Sequence, residues 1–428
     1  MARDQVHCHG ILPASPEAVW SVARDFCGTW HPAIATAKAE HGPQGALIRA
    51  FTTHGEDTLY REQLTYFSDS DRTLAYRHLQ GIAGIESYNA RMTVSPAEDG
   101  GSAITWTATV HGPATRVAQV CNGTKSIFND GIAALGKAVV QAAPAQDMPV
   151  PVALKSLTID DLPRLALSVT PDLGQDTLCL FLHGIGGGRS NWAQQLGAVG
   201  SVMRAAALDL RGYGGSSLGA RQSTVDDYCE DILRLRDVLG ARKLVLCGLS
   251  YGSWIATSFA MRHPEMLAGL VLSGGCTGMS EAGPDEREAF RVSREVPLNA
   301  GQVPADFAPA VVKVLAGPNA TEATRQALLA SMAAISASTY RDALVCFTNP
   351  LERFDFARLT MPVLMMTGQH DRLAPPAEIR SVAGRIWDSA PQPDVRFEVI
   401  ADAGHVCNVE QPEAYSRTLI DFLRRLPQ

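Results

Sequence analysis

Lys243-Leu-Val-Leu-Cys-Gly-Leu-Ser-Tyr-Gly252 decides how the second half of this 428-residue chain is read. It opens with an apolar run of the kind found in strands buried on both faces. Gly248-Leu249-Ser250-Tyr251-Gly252 follows, and helical spacing takes over from Tyr251. A strand that turns sharply into a helix leaves no room for a Cβ at either end of the turn, and the two glycines meet that demand. The serine between them is expected in a strained backbone geometry, with its hydroxyl exposed at the C-terminal edge of a sheet. The helix that follows points the partial positive charge of its N-terminus at any negative charge developing there. As a bare five-residue pattern this is common; between a strand and a helix it singles out Ser250 as a nucleophile.

A hydroxyl is a weak nucleophile until a base takes its proton. His405, in Ala401-Asp-Ala-Gly-His405, follows the last strand expected in the chain and precedes a terminal helix. Loops at the C-terminal ends of parallel strands meet in one crevice, so His405 can reach Ser250 despite their separation in sequence. The base needs an acid to fix its tautomer, and Asp371, in Gly368-Gln-His-Asp371, follows the penultimate strand. The other place for an acid, after the strand ending at Ser273, offers only Gly274-Gly275-Cys276. Two backbone N–H groups are expected to hold an oxyanion: that of Tyr251, and that of Ile185 in the loop His183-Gly-Ile-Gly-Gly-Gly188. No Lys-Ser/Thr follows these glycines, so the loop does not read as a phosphate cradle. His183 and His370 read as loop residues.

Working outward, strands and helices alternate on both sides of this stretch, the signature of a mostly parallel sheet. Strands are expected at Leu165–Val169, Thr177–Leu182, Met203–Leu208, Lys243–Cys247, Gly269–Ser273, Val363–Thr367 and Val395–Ile400. Ser223 with Asp226 reads as a capping box opening a helix that Gly240 ends. From about 276 to 350 strand signals vanish and Ala-rich helical segments remain, which reads as a helical lid inserted above the sheet.

His183-Gly-Ile-Gly-Gly, Asp209-Leu-Arg-Gly-Tyr-Gly-Gly-Ser216, the Ser250 elbow, Gly-Gln-His-Asp371 and Ala-Gly-His405 together resemble the α/β-hydrolase family, in its order and spacing. The stretch from Asp209 and the elbow are similar to its enol-lactonase and C–C-bond hydrolase branches. The resemblance implies that Asp209 belongs to a structural loop. The serine sets aside the branches that carry aspartate as nucleophile.

Before this half, strand signals at Val6–Leu12, Ala46–Thr53, Leu59–Ser68, Thr73–His78, Tyr88–Ser95 and Ala103–Val110 are separated by turns such as Asp99-Gly100-Gly101. A short helix opens with Ser15 as N-cap and Pro16 at its first position. A longer one spans about 114–140. Ile11-Leu-Pro-Ala-Ser-Pro-Glu-Ala-Val-Trp20, Arg24-Asp-Phe-Cys-Gly-Thr-Trp-His-Pro32 and that long helix resemble the START-like, polyketide-cyclase-like (SRPBCC) superfamily. What the resemblance implies is an antiparallel sheet gripping a C-terminal helix, with space for an apolar ligand. Glu62, His78 and Glu86 are candidates to line such a space, although solvent-facing strand positions account for them as well. His7 and His9 share a strand face, but with no third ligand at usable spacing no metal site is expected. The domains are therefore drawn at 1–143 (α+β, helix-grip) and 157–428 (α/β), joined by a Pro-rich linker at 144–156.

Hydrophobic residues make up 46% of the chain and charged residues 19%, enough apolar material for two cores and too much for disorder. With a net charge of -7 and no basic run, nucleic acid is not an expected partner. Nine cysteines without Cys-x-x-Cys spacing read as reduced thiols. No signal peptide and no apolar stretch long enough to span a bilayer is read, so a cytoplasmic location without membrane partners is expected. The leading expectation is a cofactor-free serine hydrolase of an apolar ester or lactone. C–C bond hydrolysis of a diketone-like substrate by the same residues is the alternative. Two further readings remain: a ligand-binding receptor or carrier with a vestigial hydrolase domain, and an N-terminal domain whose cyclisation or lyase chemistry feeds the hydrolase. Glu281, Asp285 and Glu288 in the insertion face either solvent or pocket; the sequence leaves that open.

Overall fold

The structure is a computed structural model describing residues 1–42, 46–97, 101–139, 150–391 and 393–426. Contacts group these into two units, one holding 1–139 with 393–398, the other 150–391 with 399–426.

In the first unit β1 (Ala2–Leu12), α1 (Pro16–Ala23), β2 (Ile34–His41), β3 (Leu47–Thr53), β4 (Tyr60–Ser68), β5 (Thr73–Gln80), β6 (Ser87–Pro96), β7 (Ser102–Gly112) and α2 (Ala114–Ala138) follow in chain order. The seven strands form an antiparallel sheet ordered β2-β3-β4-β5-β6-β7-β1. Strict alternation of buried positions along β7 gives the sheet one inner face, and α2 packs on β7 and β1. On α2 the buried residues Val117, Val120, Cys121, Thr124, Phe128, Ile132 and Leu135 recur at helical spacing. Phe128 stacks on Trp106 with ring centroids 4.3 Å apart. Gly131 allows this approach, since a Cβ there would lie 2.6–2.7 Å from His31 and Trp106. Ser15 caps α1 as expected, its Oγ accepting from Ala18 N at 3.3 Å. The expected sheet-and-helix grip is therefore the observed one. The strand β2, Ile-Ala-Thr-Ala-Lys-Ala-Glu-His, was not expected: it lies at the sheet edge with one buried residue, so no apolar alternation marks it.

In the second unit the strands are β8 (Lys155–Ile159), β9 (Leu165–Val169), β10 (Thr177–Leu182), β11 (Ala205–Leu208), β12 (Lys243–Leu249), β13 (Leu267–Ser273) and β14 (Val363–Gly368); a further strand, β15 (Val395–Ile400), groups with the first unit up to Glu398 and with the second from Val399. Between the strands lie α3 (Ala193–Val199), α4 (Val225–Val238) and α5 (Tyr251–Arg262), the lid helices α6 (Pro284–Asn299), α7 (Pro304–Leu315), α8 (Glu322–Ala333) and α9 (Ala337–Thr348), then α10 (Pro376–Ser389); α11 (Cys407–Glu410) and α12 (Pro412–Leu423) follow β15. The order β8-β9-β11-β10-β12-β13-β14 is parallel from β11 onward, with β8 and β9 antiparallel at one edge. Strands β10, β12 and β14 are almost wholly buried, as two-sided coverage by helices requires. α5 is buried from Tyr251 to Met261, packed on β10, β12 and β13.

Several readings shift. β8 was missed because its Lys-Ser-Leu-Thr-Ile carries little apolar signal at an edge, and its first two residues fall inside the stretch drawn as linker. Residues 144–149 of that linker, and Asp99-Gly100 of the expected turn, lie outside the described residues. The α4 cap sits one residue later than expected: Thr224, not Ser223, precedes the helix, and its N–H donates to Asp227, not Asp226, at 2.9 Å. Gly240 does end the helix, in the left-handed region at φ +66°. All nine cysteines are unbridged thiols, and no described helix is long and apolar enough to cross a membrane.

Candidate active site

β12 delivers Ser250 into a turn that only this local sequence permits. Ser250 has φ +55° and ψ -114°, a conformation an L residue holds only when its surroundings enforce it. The enforcement is visible at both glycines. A Cβ on Gly248 would sit 2.4 Å from Gly252 O, and one on Gly252 would sit 2.2 Å from Leu182 O. Ser250 N donates to Ser273 O at 2.7 Å, which pins the turn to the neighbouring strand.

His405 is buried in the loop after β15, with its backbone N–H donating to Leu315 O at 2.7 Å. Its Nδ1 lies 2.9 Å from Asp371 Oδ2. Asp371, in the loop after β14, also accepts from Leu373 N at 2.8 Å and Ala374 N at 2.9 Å through Oδ1. Burial alone would raise this carboxyl; the hydrogen bond and charge of His405, with those two N–H groups, offset it and hold Asp371 below its ordinary value. An ionised Asp371 fixes the proton on Nδ1 and leaves Nε2 of His405 as the acceptor. Gly274 closes in on the imidazole, a Cβ there falling 3.0 Å from Cε1, so the alternative acid position after β13 is packing against the ring.

Ser250 and His405 both line one cavity of about 630 Å3, together with Ile185, Tyr251 and residues of the lid. The Ser250 hydroxyl has no hydrogen-bond partner among the described residues; such contacts in ligand-free sites tighten when substrate arrives. Gly184 abuts the serine, a Cβ there coming within 3.4 Å of Ser250 Cβ. Tyr251 N, at the first position of α5, lacks an intrahelical acceptor. Ile185 N has no acceptor among the described residues, while Ile185 O is held by Tyr213 Oη at 3.0 Å. Two residues lining the cavity beside Ser250 thus carry N–H groups without an acceptor among the described residues.

The neighbouring motif residues build the scaffold. His183 is fully buried: its Nε2 accepts from Leu210 N at 3.0 Å and its Nδ1 donates to Gly184 O at 2.8 Å. Burial pushes its ring below the ordinary histidine value, consistent with a neutral strut. The Asp209 carboxylate accepts from Arg189 N and Gly215 N at 2.9 and 3.0 Å, so it ties two loops together. Glu281 pairs with Arg385 and Glu288 with Arg291, and none of Glu281, Asp285 and Glu288 lines the cavity. In the first unit His7 and His9 are exposed, and no group of three metal-ligating side chains occurs among the described residues. Glu86 is exposed there, His78 is half-buried with Nε2 accepting from Ile82 N, and Glu62 is buried in an ion pair with Arg49. Missed from sequence were the lid residues facing the cavity, among them Phe290, Arg294, Tyr340 and Phe347.

A sheet, an elbow and a cavity of this kind define a class, and the chain belongs to the α/β hydrolase family, whose model matches residues 178–412. Residues 10–140 match the model described as polyketide cyclase / dehydrase and lipid transport. Among curated relatives, a protein of Caulobacter vibrioides named as a carbamate hydrolase is 28% identical over 273 residues, covering 62% of this chain and 96% of its own. A 2-hydroxy-6-oxononadienedioate/2-hydroxy-6-oxononatrienedioate hydrolase of Pseudomonas putida is 29% identical over 59% of this chain and 90% of its own. The 3-oxoadipate enol-lactonase 2 of Acinetobacter baylyi is 24% identical over 58% and 88%. Among solved structures, a thermophilic esterase from Thermogutta terrifontis superposes with a TM-score of 0.55 at 26% identity, over 64% of this chain and 99% of that one. These likenesses support hydrolase activity.

Proposed function

We propose that this protein hydrolyses a carboxylic ester or lactone through an acyl-enzyme on Ser250. The observation that carries this reading is that a strained serine and a carboxylate-oriented histidine line one cavity. Ser250 Oγ attacks the carbonyl carbon while Nε2 of His405 takes the hydroxyl proton. The resulting oxyanion accepts from Tyr251 N and Ile185 N. Collapse breaks the C–O bond, and the departing alkoxide takes the proton back from His405; in a lactone that hydroxyl stays tethered to the acyl group. Water, deprotonated by His405, then attacks the acyl-enzyme, and the acid leaves with Ser250 restored. Asp371 stabilises the imidazolium in both halves. The relatives' names support the class of reaction, the esterase and enol-lactonase favouring the C–O bond.

The test is Ser250→Ala, which should lower kcat on a phenyl ester by about three to six powers of ten with the fold intact. Wild-type protein should be labelled at Ser250 by a fluorophosphonate. Wild-type turnover in the alanine variant would end the proposal. A second reading, C–C bond cleavage of a vinylogous diketone by the same residues, is favoured by the oxononadienedioate hydrolase relative. Comparing kcat/KM on the phenyl ester and the diketone decides between them. For the first unit we propose a binding role for an apolar ligand, with the domain borders at about 143 and 157.

A further inference from the structure

The cavity above Ser250 is walled by apolar side chains of the lid, yet one arginine lines it. Arg294, on α6, is half-buried. Its Nη1 makes two long hydrogen bonds, to Phe290 O at 3.3 Å and Ser293 Oγ at 3.2 Å, both within its own helix. Its guanidinium lies over the Phe290 ring, 3.3 Å from the centroid. Nowhere among the described residues does a carboxylate pair with it.

Its neighbours behave otherwise. Arg291, one turn earlier, is matched by Glu288 at 2.6 Å and by Glu295. Arg341 meets Asn299 Oδ1 at 2.9 Å and Glu295 at 3.9 Å. Among the described residues the one carboxylate lining the cavity, Glu378, is exposed and makes no ion pair with Arg294. Removing a cation from water without an anion is costly, and the cost is tolerated where a ligand supplies the anion.

A second polar group stands beside it. Tyr340, on α9, which packs against α6, is buried and lines the same cavity. Its ring leans edge-on against Phe307, and its hydroxyl has no hydrogen-bond partner among the described residues. The two groups sense each other: burial lowers the Arg294 guanidinium from its ordinary value and raises the Tyr340 phenol, and each is the one titratable neighbour acting on the other. A planar fork with a hydroxyl donor next to it matches a carboxylate, which accepts two parallel N–H bonds and a third from the phenol.

We propose that Arg294 and Tyr340 hold a carboxylate carried by the substrate, so that the scissile ester or lactone belongs to a molecule that is apolar in the middle and anionic at one end. This rests on the reading of Ser250 as nucleophile, and it assigns the end of the substrate that does not react.

Matched p-nitrophenyl esters separate the two claims. Hemisuccinate, hemiglutarate and hemiadipate esters are compared with neutral butyrate, valerate and hexanoate esters of equal acyl length. Wild type should prefer at least one acidic ester. Arg294→Met should lower kcat/KM on it by about 10- to 100-fold, mainly through KM, while the neutral partner changes by less than about threefold. Tyr340→Phe should lose about three- to tenfold on the acidic ester alone, and Arg294→Lys should recover part of the loss. Equal effects on acidic and neutral esters, or no wild-type preference for any acidic ester, would overturn the assignment. Calorimetric titration of monomethyl glutarate and monomethyl adipate into Ser250→Ala protein, with and without Arg294→Met, reads binding without turnover. Binding that the methionine variant loses supports the carboxylate site; no binding, or equal binding in both, removes it. Absence of turnover on every ester with no fluorophosphonate labelling would fail the hydrolase reading alone, and the titration would still judge Arg294.

Discussion

Asp371 sits where a bare carboxylate would not stay charged, and it stays charged because donors meet it, foremost His405 Nδ1, Ala374 N and Leu373 N. Its depressed value has a consequence for stability whose sign is set by linkage. A carboxyl held lower in the folded state than in the unfolded one contributes stability above its unfolded value, ordinarily 3.8, and the contribution is lost as pH falls through the lower folded value. Asp371→Asn should therefore destabilise the protein at pH 7, and the gap to wild type should close as pH falls through the lowered folded value of the carboxyl in urea titrations. Its kcat should fall by about four powers of ten, because the amide no longer enforces the Nδ1–H tautomer. A stability gap that persisted unchanged in acid would show that the carboxyl is not ionised in the fold. Ser250 carries the opposite kind of cost: φ +55° in a non-glycine residue stores about 1–3 kcal/mol, and Gly248 and Gly252 leave the backbone no other path.

At the scale of elements, what could be read from sequence was whatever the backbone dictates. The elbow was legible because its glycines answer steric demands at fixed offsets. The places of Asp371 and His405 followed from strand ends, since parallel strands release their chains at one edge. Features set by packing were not legible. β2 and β8 lie at sheet edges and bury too little to show a period. Which face of α6 or α9 meets the cavity depends on how the lid helices dock, so Arg294 and Tyr340 carried no signal. The α4 cap failed for a different reason: Ser223 and Thr224 are both good N-caps, each with an aspartate three residues on. Tertiary contacts choose between them. Asp227 binds Thr224 N and faces Arg211 and Arg221 at 3.3 and 3.1 Å, whereas Asp226 is used by Arg262 on α5. Burial would raise the Asp227 carboxyl, and the Thr224 hydrogen bonds with those two arginines bring it below its ordinary value. Asp227→Ala should therefore cost about 1–2 kcal/mol, against less than about 1 kcal/mol for Asp226→Ala, whose ion pair is exposed. Chemical denaturation of the two variants checks this; equal losses would put the cap back at Ser223.

Over the whole molecule, each unit buries its own polar machinery in its own core. Ser250, His405, Asp371 and the lid arginine all belong to the second unit. The first unit has a separate buried charge, the Arg49–Glu62 pair, both residues 8% exposed, with the guanidinium 4.7 Å from the Phe26 ring and 4.9 Å from the Phe51 ring. Burial alone would lower Arg49; Glu62, with Tyr76 and Cys27 nearby, more than offsets it, and the guanidinium ends above its ordinary value. Taking the negative charge away while leaving the shape strands a cation among aromatic rings, which costs about 3–5 kcal/mol when a buried pair is broken. Glu62→Gln should therefore lower a calorimetric transition belonging to the first unit. The fluorophosphonate labelling rate at Ser250 and kcat/KM on a phenyl ester should stay within about twofold, because none of the groups that do the chemistry depends on that pair. A fall in labelling rate parallel to the fall in stability would mean that the second unit needs the first to keep its elbow and histidine in place.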